Sequence, residues 1–183
     1  ALRGTDYIYD DAGNRIVNSS GDYSRTSSGN NIIGNIQPDW TGGVKNTLNY
    51  KNLSLAFLID VQQGGDIFSL DTYYGYATGI YDQSVGLNDL GNPKRNTIAN
   101  GGGVILPGVT EDGAPNTVRT SADSYANPYG YIKDAHKGHV YDASFVKLRE
   151  ASLTYDFGEK MISALPINSA SLSIVGRNLW IIH

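Results

Sequence analysis

Tyrosine is the residue type in this chain with the most scope for recognition chemistry. Thirteen tyrosines occur among 183 residues, and many are clustered. Phe68, Tyr73, Tyr74, Tyr76 and Tyr81 form one group; Tyr125, Tyr129, Tyr131 and Tyr141 form another. Flat rings stack on sugar faces or on peptide side chains, and phenol hydroxyls both donate and accept hydrogen bonds. Tyr73, Tyr74, Tyr76, Tyr81, Tyr129 and Tyr131 are therefore the candidate ligand-binding residues. Two other uses of tyrosine fit the same clusters: an aromatic girdle at a membrane interface, and packing of a long loop upon itself.

The sequence offers no constellation for bond chemistry. Asp10-Asp11 and Glu111-Asp112 are adjacent acids. Neighbours on an extended chain point to opposite faces, so neither pair converges as a glycosidase pair must. Both lie at turn signals. Residues 10–14 are rich in oxygen donors but lack the spaced acids of an EF-hand loop. His136 and His139 stand three apart beside Lys137 and Gly138, and with no cysteine in the chain a zinc site is not expected. Gly-x-Ser-x-Gly, Walker A and dinucleotide motifs are absent. Gly101-Gly102-Gly103 precedes no helical pattern that could cradle phosphate. No catalytic residue, metal or cofactor is expected. A net charge of -4 with scattered Lys and Arg gives no case for a nucleic-acid surface, and no nucleic-acid partner is expected.

The elements that must position the tyrosines have the period of strands. Leu55, Phe57, Ile59 and Val61 alternate with Ser54, Ala56, Leu58, Asp60 and Gln62. That is period two over about ten residues, close to the ~9–11 of a membrane strand. Before them Val44, Leu48 and Tyr50 share one parity, and Lys45, Thr47 and Asn49 the other. Lys51-Asn52 joins the two as a tight hairpin, with Asn suited to positive φ. Later, Ala151, Leu153, Tyr155 and Phe157 alternate with Glu150, Ser152, Thr154 and Asp156. A linker over 158–169 holds about one helical turn, and a last strand runs over 170–182. A small hairpin is expected within the long middle segment, from Val104-Ile105-Leu106 through Glu111-Asp112-Gly113 to Thr117-Val118-Arg119. A further turn is expected at Asp11-Ala12-Gly13-Asn14.

No apolar run reaches the ~20 residues of a membrane helix, and the mean hydropathy is -0.30. A membrane barrel escapes such measures because only every second residue faces lipid. The spacing of elements favours that class. A loop of almost 80 residues is uncommon in a compact soluble domain and ordinary outside an outer-membrane barrel. The layout expected is 1–40 an extracellular loop region, 41–63 a barrel hairpin, 64–142 a long Tyr- and Gly-rich extracellular loop, and 143–183 a second barrel hairpin. Leu55, Phe57, Ile59, Val61, Leu153, Tyr155 and Phe157 are expected to face lipid. Asp60, Lys147, Glu150 and Asp156 are expected to face the lumen or lie above the membrane, with Arg149 and Glu150 free to pair across strands. Four strands cannot close a barrel, so the chain is expected to be a fragment, cut at both ends and lacking the last strands. The competing expectation is a soluble β-sandwich, a carbohydrate-binding or adhesin-like module.

Several motifs narrow the class. Ile33-Gly34-Asn35, Pro38-Asp39-Trp40, Gly42-Gly43 and Asn46 are followed by Gly64-Gly65-Asp66. Residues 141–157 begin Tyr141-Asp142-Ala143-Ser144-Phe145-Val146-Lys147-Leu148-Arg149-Glu150, and Gly176-Arg177-Asn178-Leu179-Trp180 comes later. In this order the motifs resemble the C-terminal part of the SusC/RagA family of TonB-linked outer-membrane proteins. The resemblance implies an all-β fold: antiparallel strands of a large transmembrane β-barrel, a fragment of 22 strands, with long extracellular loops. It also implies residence in the outer membrane of a Gram-negative bacterium of the Bacteroidota and import of oligosaccharides or oligopeptides without enzymatic chemistry. The implied partners are a SusD-like lipoprotein, and TonB acting through an N-terminal part that this chain does not contain.

Overall fold

The computed structural model describes residues 1–123, 125 and 127–183. Its strands, in chain order, are β1 (Leu2–Gly4), β2 (Asn31–Gly34), β3 (Trp40–Tyr50), β4 (Leu53–Gln63), β5 (Asp66–Phe68), β6 (Val104–Ile105), β7 (Arg119–Thr120), β8 (Val140–Asp142), β9 (Phe145–Phe157) and β10 (Ala170–Ile181). Two α-helical segments, α1 (Leu70–Thr78) and α2 (Glu159–Ile162), lie among them. The chain divides into two compact units: residues 1–36 with 66–141, and residues 37–65 with 142–183.

The second unit is an antiparallel sheet in the order β10-β9-β4-β3. Its register turns sequence alternation into two chemically distinct faces. Leu48, Leu55, Leu153 and Ile174 form one row across all four strands. Val44, Ile59, Leu148 and Trp180 form a second, and Tyr50, Leu53, Tyr155 and Leu172 a third. Phe57, Val61 and Phe157 share this face, so all seven residues expected to face lipid lie on one side of one sheet. The face is uncovered in the chain: Ile174 is 71 % and Trp180 64 % exposed. A β-sandwich would lay a second sheet over it, and among the described residues this unit has none.

The opposite face is polar. Thr47, Ala56, Ser152 and Val175 make one row, and Asn49, Ser54, Thr154 and Ser173 another. The Thr154 and Ser173 hydroxyls are 2.8 Å apart. The register slips at Arg149, where Leu58 pairs with Glu150 but Ile59 with Leu148. Such a bulge re-aims side chains. Arg149 donates through Nε to Asp60 at 2.8 Å, while Glu150 accepts from Arg177 at 3.0 Å. The pairing partners that alternation alone left open are thus Asp60 and Arg177.

At the hairpin the residue with positive φ is Lys51 (φ 53), not Asn52. Asn52 is held instead by β9: its side chain donates to the Asp156 carbonyl at 2.7 Å, and its own carbonyl accepts from Asp156 N–H. The linker after β9 does contain one helical turn, α2. Gly64 and Gly65 both have positive φ, 75 and 85, and a Cβ at Gly64 would lie 2.5 Å from Asp39 Oδ2. The Gly-Gly pair is therefore a backbone requirement of this corner.

In the first unit, β1 pairs with β2 and β6 with β7. Four turns there share one architecture: 10–14, 18–22, 88–92 and 110–114. In each, the first residue's N–H donates to the fifth residue's carbonyl, and the fourth residue's N–H to the first's carbonyl. The fourth is always glycine with positive φ, at Gly13, Gly21, Gly91 and Gly113. Flanking residues bridge, as Tyr9 with Arg15 and Leu87 with Pro93. This is the three-residue hairpin, a tight turn closed by a left-handed residue. Both adjacent acid pairs sit in such turns. Asp10 Oδ1 accepts from Ala12 and Asn14 N–H, and Asn18 and Asn88 repeat the pattern.

The sequence reading placed no helix in the middle segment, yet α1 forms there. Ser69 caps it, accepting from Thr72 N–H at 3.2 Å, and Gly79 closes it at φ 73. Those signals stand in the sequence, but nine residues carrying three tyrosines have too little helical periodicity to stand out.

Candidate functional site

Helix α1 presents Tyr73, Tyr74 and Tyr76 within two turns, and their neighbours arrive from residues 125–141. Tyr73, Tyr74 and Tyr131 form a triangle with ring centroids 5.1, 5.3 and 5.3 Å apart. Tyr125 extends it: its hydroxyl donates to the Tyr131 hydroxyl at 2.9 Å. Tyr74 remains 51 % exposed. Tyr76 and Tyr81 pack edge to face at 5.0 Å, and the Tyr76 hydroxyl meets that of Tyr141 at 3.5 Å. Five of the six candidate tyrosines thus lie on one helix or against it. Tyr129 sits apart, packed with Tyr23 on the small core of Val104, Leu106 and Ala122.

Two histidines stand behind this aromatic group. His136 Nδ1 accepts from Thr5 N–H at 3.0 Å, which leaves the ring proton on Nε2. That nitrogen meets the Tyr73 hydroxyl at 3.3 Å. Burial, with Arg25 nearby, lowers the His136 pKa, so the ring is neutral at pH 7. His139 is 0 % exposed, wedged 5.2 Å from the Tyr73 ring and 5.8 Å from that of Tyr76. Its Nε2 has no hydrogen-bond partner among the described residues and lies 3.9 Å from Asp134 Oδ2. Burial, aided by His136, pushes its pKa down to about 4.

Asp134 and Asp22 are both buried acids of this unit, and Asp134 is the one beside the histidines. The Tyr7 hydroxyl donates to it at 2.6 Å, across 127 residues of sequence. Burial raises the Asp134 pKa to about 6, against that bond and the Ala135 N–H. Burial, then the Asp134 charge, pushes the Tyr7 phenol well above its usual range. Arg15 lies 4.0 Å over the Tyr7 ring, and Arg25 donates to the Asp134 and Ile132 carbonyls. This network fastens residues 1–36 to residues 66–141. Sequence reading treated the histidines only as possible zinc ligands and missed Tyr7 and Asp134. Among the described residues, no group of three or more His, Cys, Asp or Glu is placed to hold a metal.

A cavity of about 250 Å³ opens beside Tyr73, lined by Leu2, Arg3, Ile33, Phe68, Tyr73 and His136. Among the described residues, the first unit brings together hydroxyl-bearing rings and a small cavity with a largely apolar lining. Among the described residues no helix is long and apolar enough to cross a membrane.

Long strands with one apolar and one polar face, alternating with long structured insertions, are the pattern of outer-membrane β-barrels. The resemblance read from the motifs agrees with the comparisons, in which the chain is similar in sequence to part of a TonB-dependent receptor and in fold to part of the RagAB importer. The chain is 24% identical over 170 residues, 93% of its length, to TonB-dependent receptor P3 of Formosa agariphila. It spans 14% of the length of that relative. Among solved structures it is similar to the RagAB peptide importer in its closed-closed state, with TM-score 0.50, 18% identity and 100% of this chain matched to 19% of that one. The open-open state matches with TM-score 0.51 and 20% identity, covering 99% of this chain and 18% of that one. No family model matches the chain.

Proposed function

We propose that this chain is a late segment of a TonB-dependent importer in the outer membrane of a Gram-negative, Bacteroidota bacterium. In this reading β3, β4, β9 and β10 are part of the wall of a large barrel, of 22 strands by the family resemblance. Leu55, Phe57, Ile59, Val61, Leu153, Tyr155 and Phe157 face lipid, and the Asp60–Arg149 and Glu150–Arg177 pairs face the lumen. Residues 1–40 and 64–142 are extracellular. Tyr73, Tyr74, Tyr76, Tyr81, Tyr129 and Tyr131 contribute a wall against an oligosaccharide or oligopeptide ligand. A SusD-like lipoprotein acts as partner, and TonB supplies energy through the N-terminal part of the parent protein. The segment itself carries out no bond chemistry.

The observation that carries this reading is the uncovered apolar face, in register across four strands, backed by a polar face with its own ion pairs. An apolar face of this extent requires a non-aqueous neighbour, and lipid is the neighbour that a long-looped antiparallel sheet is built for. The named relative is a TonB-dependent receptor, and the similar structure belongs to a peptide importer, which supports transport as the activity. The test follows labelled oligopeptides and oligosaccharides in cells carrying the full-length parent, with the proton gradient intact or collapsed. Accumulation of one ligand class only in energised cells is expected. Accumulation indifferent to the gradient, or the parent protein in the soluble fraction, would overturn the reading.

A further inference from the structure

The cavity beside Tyr73 has a composition that selects among ligands. Ile33, Leu2 and Phe68 give it an apolar lining, with Ile33 only 2 % exposed. It has one cation, Arg3, and no lining carboxylate or carboxamide. The Arg3 guanidinium uses Nη1 on the Asn30 carbonyl at 2.6 Å, and no acid pairs with it among the described residues. Lys137 adds a second positive charge close by, its ammonium on the Ile33 carbonyl at 2.6 Å.

The hydrogen bonds of His136 decide what Tyr73 can do. With Thr5 N–H on Nδ1, the neutral imidazole carries its proton on Nε2. Nε2 then donates to the Tyr73 oxygen, which leaves the Tyr73 O–H free to donate elsewhere. The cavity is therefore lined by two groups with donors left to give, the guanidinium beyond its Nη1 bond to Asn30 and the Tyr73 phenol, beside apolar side chains. A neutral sugar needs acceptors as well as donors, and the lining side chains have none to spare.

We propose that this cavity binds an organic carboxylate with an aliphatic or aromatic body, its carboxylate on Arg3 and Tyr73 and its body against Phe68, Ile33 and Leu2. The inference rests on the reading of this unit as the ligand-holding part of a receptor, and it gives one place in that part a chemical class. At about 250 Å³ the cavity is smaller than the ~300–1,000 Å³ of pockets for drug-sized ligands. It suits a single amino-acid-sized group. Two sources share this chemistry: the C-terminal residue of a peptide and a free carboxylic acid. Charge-assisted bonds from Arg to carboxylate supply specificity, and the apolar lining supplies the area to bury.

The test titrates the full-length receptor in detergent with three probes: N-acetyl-leucine as the peptide C-terminus, 3-phenylpropionate as the free acid, and N-acetyl-leucinamide, which lacks the charge. At least one carboxylate is expected to bind at least tenfold tighter than the amide, and the stronger of the two identifies the source. Arg3→Gln should weaken the carboxylates tenfold or more and leave the amide unchanged. Tyr73→Phe, which keeps the ring and its packing, should weaken them several-fold. Equal binding of acid and amide, or carboxylate binding untouched by both variants, would overturn the proposal. Heat-dependent gel mobility checks that each variant still forms the barrel. If acids are preferred but uptake ignores the proton gradient, the importer reading fails and the cavity stands. If uptake is energised but acid and amide bind alike, the cavity assignment alone fails.

Discussion

Ile59→Arg tests the assignment of the sheet faces. Strand β4 has 11 residues, Leu53–Gln63. At ~3.4 Å per residue and a tilt near 40°, it spans roughly 28 Å along a membrane normal, about the thickness of the apolar band. Ile59 lies one residue from the strand's centre, so it falls near the midplane. Its row is Val44, Leu148 and Trp180, and no acid on that row could pair with an introduced guanidinium. Arginine on the lipid face at such depth costs about 2–4 kcal/mol. A cost of about 3 kcal/mol lowers the folded-to-unfolded ratio more than a hundredfold. Ala56→Arg is the control: Ala56 lies on the opposite face between Thr47 and Ser152, where about 0.5 kcal/mol is expected. The assay is reversible urea unfolding of the full-length barrel in lipid vesicles, read by heat-dependent gel mobility. Equal cost at both positions, or a greater cost at Ala56, would refute the lipid-facing assignment.

Three further outcomes are expected. The buried acid and histidine oppose each other with pH. Asp134 has its pKa raised from 3.8 to about 6, so its contribution is full below the unfolded value and lost as pH rises through about 6. His139 is depressed from 6.5 to about 4, so its contribution is present above 6.5 and lost as pH falls through about 4. Each amounts to roughly 3 kcal/mol, and over the shared window they largely cancel. Amide exchange at Ser69, whose N–H donates to the His139 carbonyl, should therefore slow in His139→Phe as pH falls from 6.5 to 4 and quicken in Asp134→Asn, relative to the parent's own pH trend; unchanged pH trends in both variants would contradict this. Lys51→Gly should stabilise the β3–β4 hairpin by about 1 kcal/mol by relieving a left-handed lysine, seen as a higher urea midpoint. Asn88→Ala should open the 88–92 turn to protease, because it removes acceptance from Leu90 and Asn92 N–H and donation to the Gly101 and Gly103 carbonyls, a loss of about 2 kcal/mol.

Much of this structure could be read one residue at a time. The alternation of Leu55, Phe57, Ile59 and Val61 against Ser54, Ala56 and Asp60 is a local property, and β4 runs over that alternating stretch. The hairpin expected from Val104 to Arg119 forms in shorter compass, with Val104 paired to Thr120 and Ile105 to Arg119 while Thr117 and Val118 lie outside the strands, and the turns at Asp10-Asp11 and Glu111-Asp112 were legible from their turn residues. Helix α1 went unread although Ser69, Asp71 and Gly79 mark its ends, because a short helix packed through tyrosines needs its neighbours before its buried side exists. At the hairpin, Asn52 has the intrinsic preference for positive φ, yet Lys51 adopts it. The two hydrogen bonds of Asn52 to Asp156 lie across 104 residues and outweigh a local preference of about 1 kcal/mol.

By itself the sequence determined the period of each strand, the positions of its glycine turns and the clustering of its tyrosines. All of these follow from the stereochemistry of near neighbours. Only the tertiary structure decided which strand lies beside which, and hence that Ile59 meets Leu148 and Arg149 meets Asp60 across a bulge. It alone brought Tyr7 to Asp134 and Thr5 to His136, and so set the proton on His136 and freed the Tyr73 hydroxyl. Contacts between residues 89 to 131 apart depend on loop closure and burial of the whole chain, and nothing in the local spacing of residues encodes them.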